Sequence, residues 1–253
     1  MNNLPREVER CLETFVEDAK RAFGADLVSI VLFGSAAAGE LRATSDVNLL
    51  LVLKRFRQDS ADRLRGPMRL AMAAVQMHAM FLLETEVAPA LDAFAVKFAD
   101  ILTRNHLLFG ADPFVNLHVS RDALSRRVKQ VLLNLQLRLR ERYIAVSLRE
   151  EQLAYLIADA APPLRSSAAS LLQLEGKTVL AGKAALEQVV AEMADHMADH
   201  MVDQIQLPEL KNALLHMSQA REQGQLPAGV AVPTLMALIQ LTEHLRERAE
   251  KIQ

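Results

Sequence analysis

Residues 26–53 read DLVSIVLFGSAAAGELRATSDVNLLLVL, and this stretch decides the fold. Ile30 to Phe33 is β-branched and aromatic, too short for a helix, and followed at once by Gly34, so it reads as a buried strand. A glycine there lets the backbone approach a ligand. It also leaves the next amides and the Ser35 hydroxyl free to hold phosphate oxygens at a helix start. After an Ala-rich piece and the Ser45–Asp46 pair, a second apolar run begins at Val47. Alternate residues of a strand share a face, so Asp46 and Asn48 point to one side, toward whatever the Gly34–Ser35 turn holds. The plainer reading is a strand–turn–helix with ordinary polar edges.

The order and spacing of these residues resemble the signature of the nucleotidyltransferase superfamily, the fold of DNA polymerase beta and of the antibiotic nucleotidyltransferases. In that signature, Gly-Ser is followed about ten residues later by Asp-x-Asp at the start of the second strand. The resemblance implies an α+β domain, a mixed sheet with helices. It implies Gly34, Ser35 and Ser45 as nucleotide- or phosphate-binding residues and Asp46 as the first catalytic carboxylate. In an active transferase, two or three carboxylates hold Mg²⁺, which bridges the triphosphate and the attacking hydroxyl. Here the second acid is Asn48, whose amide oxygen still ligates a hard cation but brings no charge.

Residues 93–114, AFAVKFADILTRNHLLFGADPF, extend the resemblance. Many nucleotidyltransferases carry Phe-Pro-x-Glu-Phe-x-Asp-Ile followed by Leu-Leu-Tyr-Gly-x-Asp-Pro. Phe98, Asp100, Ile101, Leu107, Leu108, Gly110, Asp112 and Pro113 fit, whereas the family's Glu falls on Lys97 and its Pro on Ala95. Read as a strand over 94–101, Phe94, Val96 and Phe98 form one face, and Lys97 lies between small neighbours on the other. There it either reaches the site or snorkels to water from a strand edge. One of three expected carboxylates survives, and the changes shift the site's formal charge by three units. That is hostile to a divalent cation. Lys97 is expected to pair with Asp46 from an adjacent strand.

The leading expectation is therefore a nucleotidyltransferase-fold protein impaired in metal-dependent transfer, keeping a nucleotide or anion cleft with a binding or regulatory role. No cofactor is expected, and Mg²⁺ belongs only to the alternative of an active enzyme moving a nucleotide onto a small-molecule or protein hydroxyl. That alternative would recruit Glu84 or Glu86 beside Asp46, although acids there also suit the start of a helix. A third class is a toxin–antitoxin partner, but the Arg-then-His spacing of the helical partner is missing. ATP is a suitable partner nucleotide.

At 253 residues the chain can build one large domain or two modest ones. A net charge of −2, with both signs spread along the chain and no Trp, argues against general nucleic-acid binding. No apolar run is long enough to span a bilayer and the N-terminus is charged, so a cytoplasmic protein is expected. The single cysteine, Cys11, fits a reducing compartment. A homodimer is compatible with the sequence.

The pattern changes near residue 115, giving a nucleotidyltransferase-like domain over 1–115 and a helical bundle over 116–253. The first part reads as helix 5–23, strands 27–33 and 47–53, a helix around 60–77, and strands 79–83 and 94–101. Leu124, Val128, Val131, Leu132, Leu135 and Leu139 place a long amphipathic helix over 122–148. Pro162 and Pro163 read as punctuation before a helix at 166–174. Further helices fall at 182–204, 208–222 and 232–252, an arrangement similar to that of kanamycin nucleotidyltransferase. His196 and His200 have the i, i+4 spacing of a metal clamp but read better as part of a solvated acidic helix face. Lys54, Arg55, Arg57, Arg63, Arg65 and Arg69 read as a solvated loop or a phosphate-attracting cluster. Arg126, Arg127, Lys129, Arg138, Arg140 and Arg142 of the long helix read as mostly solvent-facing, with the alternative that one reaches across to the Gly34–Ser35 site.

Overall fold

The computed structural model describes residues 4–41, 45–178, 182–197 and 207–252. The chain divides into two compact units, Met1–Val119 and Ser120–Gln253. The His196 and His200 side chains lie outside the described part of the structure.

The first unit is α+β. It contains α1 (Arg6–Phe23), a short 3₁₀ turn (Gly24–Asp26), β1 (Leu27–Phe33), β2 (Val47–Leu53), α2 (Gln58–Val75) and β3 (Met77–Leu83). These are followed by α3 (Glu84–Ala93), α4 (Ala95–Thr103) and β4 (Asn105–Gly110). The strands form one sheet in the order β3-β2-β1-β4. β2 and β3 run parallel, while β1 is antiparallel to both its neighbours. The two central strands are continuous apolar runs because both faces are covered. Ile30, Leu32, Leu49 and Leu51 pack with Leu12, Phe15 and Leu64 of α1 and α2. Val31, Phe33, Leu50 and Val52 pack with Val87, Leu91, Phe98 and Ile101 of α3 and α4. Gly110 closes β4 with φ +81°, and a Cβ there would sit 1.9 Å from the Val28 carbonyl oxygen.

The strand expected over 94–101 is instead helical, and the fourth strand lies further on, at Asn105–Gly110. Alternation of Phe94, Val96 and Phe98 suggested a period of two. Yet Phe94 is exposed, while Ala95, Phe98 and Ala99 are buried and Lys97, Asp100 and Arg104 fall on the wetter side, a helical repeat. Arg104 seals the turn by binding the Asp100 carboxylate through Nε and Nη2, at 2.6–2.9 Å.

The basic cluster after β2 is structural at three positions. Asp26 is buried, and Arg55 and Arg57 close on its carboxylate at 3.0 and 3.1 Å. Arg63 pairs with Asp59 and donates to the Ala22 carbonyl. Both arginines on Asp26 are more than half exposed, so solvent screens the attraction. Asp26→Ala should then cost about 1–3 kcal/mol, chiefly from hydrogen bonds lost by a buried group, and urea denaturation would show it. Cys11 is half-buried in α1, where burial and then the Glu7 charge push its thiol up, away from reactivity.

The second unit is helical: α5 (Arg121–Val146), α6 (Glu150–Leu174), α7 (Gly182–Met197), α8 (Leu207–Gln223) and α9 (Ala231–Glu250). α6 packs against the other four. Pro162 and Pro163 do not punctuate as expected but lie inside α6. Ala160, Ala161 and Leu164 around them are fully buried, so tertiary packing outweighs the missing amide donors. Where α6, α7 and α9 meet, Arg248 binds Glu175 through two donors, at 2.6 and 2.5 Å, and Glu192 at 2.6 Å. Lys177 joins both acids at 2.9 and 2.8 Å.

Candidate functional site

β1 ends at Phe33, and the chain leaves the sheet through Gly34 at φ +79°, a conformation that favours glycine. The following residues form a single turn rather than a helix. Gly34 donates its own amide to the Arg104 carbonyl at 3.0 Å, and its carbonyl accepts from Ala38 at 3.1 Å. Gly34 is therefore a structural pivot, and its amide is spoken for, contrary to a free phosphate-binding turn beginning there. The amides of Ser35, Ala36 and Ala37 and the Ser35 hydroxyl make no hydrogen bond among the described residues. Glu40 donates its amide to the Ser35 carbonyl, and Arg104 Nη1 lies 3.9 Å from the Glu40 carboxylate.

Strand register sets what stands beside that turn. Phe33 is opposite Asn48, and Asn48 is opposite His78 on β3. Paired residues share a face, so these three form one row across the sheet, on the side covered by α3 and α4. Asp46 precedes the row. Its Oδ1 is 3.8 Å from His78 Nε2, and its carbonyl accepts from Asn48 Nδ2 at 3.4 Å. Ser45 is half-buried just before it. Lys97 reaches the same face from α4. Its Nζ is 5.7 Å from the centre of the Phe33 ring and 3.8 Å from Met80 Sδ.

Lys97 and Asp46 do not pair. Asp46 faces His78, and no carboxylate lies within ion-pair distance of Lys97 among the described residues. The expected pairing required adjacent strands, but Lys97 is helical and settles over an aromatic face, whose negative quadrupole attracts a cation. Glu84 and Glu86 also fail as substitutes for the missing acids. They follow Leu83, which pairs with Leu53, whereas Asp46 precedes the Val47–Met77 pair. At roughly 3.3 Å per residue, the length of β3 puts the two ends about 20 Å apart. Glu86 accepts from the Leu83 amide at 2.8 Å and serves as a helix cap.

Two participants were not foreseen. His78 has no local motif, and only the parallel β2–β3 register brings it beside Asn48. Arg104 gathers Asp100, Glu40 and the Gly34 amide, and its Asp100 partner four residues earlier was the available signal. Among the described residues, no three His, Cys, Asp or Glu side chains cluster as a metal site.

A sequence profile described as a nucleotidyltransferase domain matches residues 12–129. The matched span falls mainly on the first unit, which is thus similar to the domains of that family. A Methanocaldococcus jannaschii protein provisionally named a protein adenylyltransferase is 27% identical over 127 residues, covering 49% of this chain and 86% of that one. The spectinomycin adenyltransferase of Enterococcus faecialis, solved with ATP and spectinomycin, has the same fold with a TM-score of 0.63. The match covers 96% of this chain and 99% of that one, at 12% identity. A toxin–antitoxin complex with AMP-PNP reaches a TM-score of only 0.28. No helix among the described residues is long and apolar enough to cross a membrane.

Proposed function

We propose that the first unit binds the phosphates of a nucleotide at the Gly34 end of its sheet through protein cations and amides, and is impaired in metal-dependent nucleotidyl transfer. The observation that carries this is the row Phe33–Asn48–His78, with the Asp46 carboxylate just ahead of β2 and the Lys97 ammonium laid over the row. Mg²⁺ does not fit these residues. A hard divalent ion needs carboxylate charge, and here a single carboxylate faces an imidazole, with an ammonium on the same sheet face. Glu40 and Asp100 are engaged by Arg104.

Lys97, His78 and the amides of Ser35 to Ala37 supply positive charge and donors to an anion. Ser35 and Ser45 add hydroxyls, and Gly34 shapes the turn. The adenylyl chemistry in the names of both relatives makes ATP the nucleotide to test first. A binding or regulatory role in a reducing cytoplasm suits these features. No observation on this chain favours a toxin–antitoxin partner.

Calorimetric titration of ATP in EDTA tests this reading. The protein should bind, and Lys97→Gln should weaken binding roughly tenfold, the size of one charge-assisted contact at about 1.4 kcal/mol. Equal affinity in the variant would remove Lys97 from the site. No binding by the unaltered protein would remove the cleft.

A further inference from the structure

One face of α5 is buried through Leu124, Val128, Leu132, Leu135 and Leu139. Its outer face carries a second apolar line: Leu133, Leu137, Ile144 and Leu148, exposed by 46, 54, 82 and 98%. Steps of four, seven and four residues keep all of them on one stripe. Ser147 at the helix end retains helical angles (φ −57°, ψ −22°), so the path to Leu148 continues the last turn.

The spacing is palindromic. Leu133 and Leu148 are equidistant from the Arg140–Glu141 peptide bond, and so are Leu137 and Ile144. Arg140 and Glu141 are the innermost pair, with opposite charges. Laid antiparallel on a copy of itself about a two-fold axis at that bond, α5 sets Leu133 against Leu148, Leu137 against Ile144 and Arg140 against Glu141, each twice. Glu141 is exposed and has no ion-pair partner among the described residues. Arg140 is half exposed and holds Glu243 at 3.4 Å through one nitrogen, leaving donors for a second carboxylate.

We propose that a second copy of this chain covers this face, forming an isologous dimer through antiparallel α5 helices. Two-fold symmetry requires one surface to be complementary to itself, which this order of apolar and charged residues provides. A partner of different sequence would need no palindrome. The stripe spans about 22 Å at 1.5 Å per residue. One helix face of that length covers less than a standard interface of roughly 800 Å² per partner, so the dimer should be reversible in the micromolar range.

Sedimentation equilibrium of the full chain, from about 1 to 100 μM, should show a monomer–dimer equilibrium. Leu137→Glu should leave only monomer. Arg140→Glu should weaken association about tenfold or more by facing Glu141 with a like charge at both symmetric contacts. Adding Glu141→Arg to the same chain should restore association, because the pairs re-form with signs exchanged. All these positions are exposed, and far-UV circular dichroism will confirm that the variants fold. A monomer at every concentration, a dimer indifferent to Leu137→Glu, or no recovery in the double variant would overturn the proposal.

Discussion

Asn48→Asp combined with His78→Asp should create a Mn²⁺ site. Asn48 and His78 are register partners on adjacent strands, about 4.8 Å apart along the hydrogen-bonding direction. Asp46 lies close enough to touch His78. The two substitutions therefore set three carboxylates on one face, the ligand chemistry a hard divalent cation needs. Affinity should rise at least about a hundredfold, or some 2.7 kcal/mol. Without metal, like-charge repulsion should cost the variant on the order of 1–2 kcal/mol of stability. Adding Lys97→Gln should strengthen Mn²⁺ binding again by removing a cation from the same sheet face. Electron paramagnetic resonance of free Mn²⁺ measures both binding steps, and urea denaturation without metal measures the stability cost. A folded double variant that binds no Mn²⁺ would mean that the row does not converge on one site.

Arg248→Ala should be the most destabilising single change in the helical unit. Arg248 is only 16% exposed, and its removal leaves Glu175 and Glu192 facing each other with Lys177 as their remaining cation. Breaking a largely buried pair by deleting one partner costs about 3–5 kcal/mol. The same network gives the unit an acid limit. Burial opposes ionisation of Glu192, yet hydrogen bonds from Lys177, Gln188 and Arg248 and the Arg248 charge hold its carboxyl down at about 2. The Arg248 hydrogen bond likewise lowers Glu175. A carboxyl whose folded value is depressed stabilises the fold above its unfolded value of about 4.5, and this contribution is lost as pH falls through the folded value. After discounting for partial exposure, Glu192 should contribute roughly 1–2 kcal/mol, disappearing between about pH 4.5 and 2. Urea melts at pH 7, 4 and 2.5 should show this fall in the unaltered protein and a smaller one in Arg248→Ala. An equal fall in both would place the acid sensitivity elsewhere.

The central strands were legible because they are buried on both faces: Leu27–Phe33 and Val47–Leu53 stand at the residues their apolar runs marked. The long helix was equally plain from its leucines. Residues 94–101 misled because large apolar residues two apart, Phe94, Val96 and Phe98, imitate a strand over so short a window. Only the polar spacing of Lys97, Asp100 and Arg104 betrays the helix. The prolines at 162 and 163 misled for the opposite reason, since local propensity gave way to a buried helix at the centre of a bundle. At the site, Gly34, Asp46 and Asn48 could be read from one continuous stretch, but the presence of His78 depends on strand pairing. The failure of the Asp46–Lys97 pair has the same origin. Local sequence records which residues are charged, whereas register and helix phase decide which charges meet.

The central claim is that this cleft holds a nucleotide without a metal. Its most direct test is one titration of ATP performed twice on the unaltered protein, in EDTA and in excess Mg²⁺. Affinities agreeing within about threefold, below 0.7 kcal/mol, are the expected result. Binding that strengthens about a hundredfold with Mg²⁺ would contradict the claim and restore the active-transferase reading.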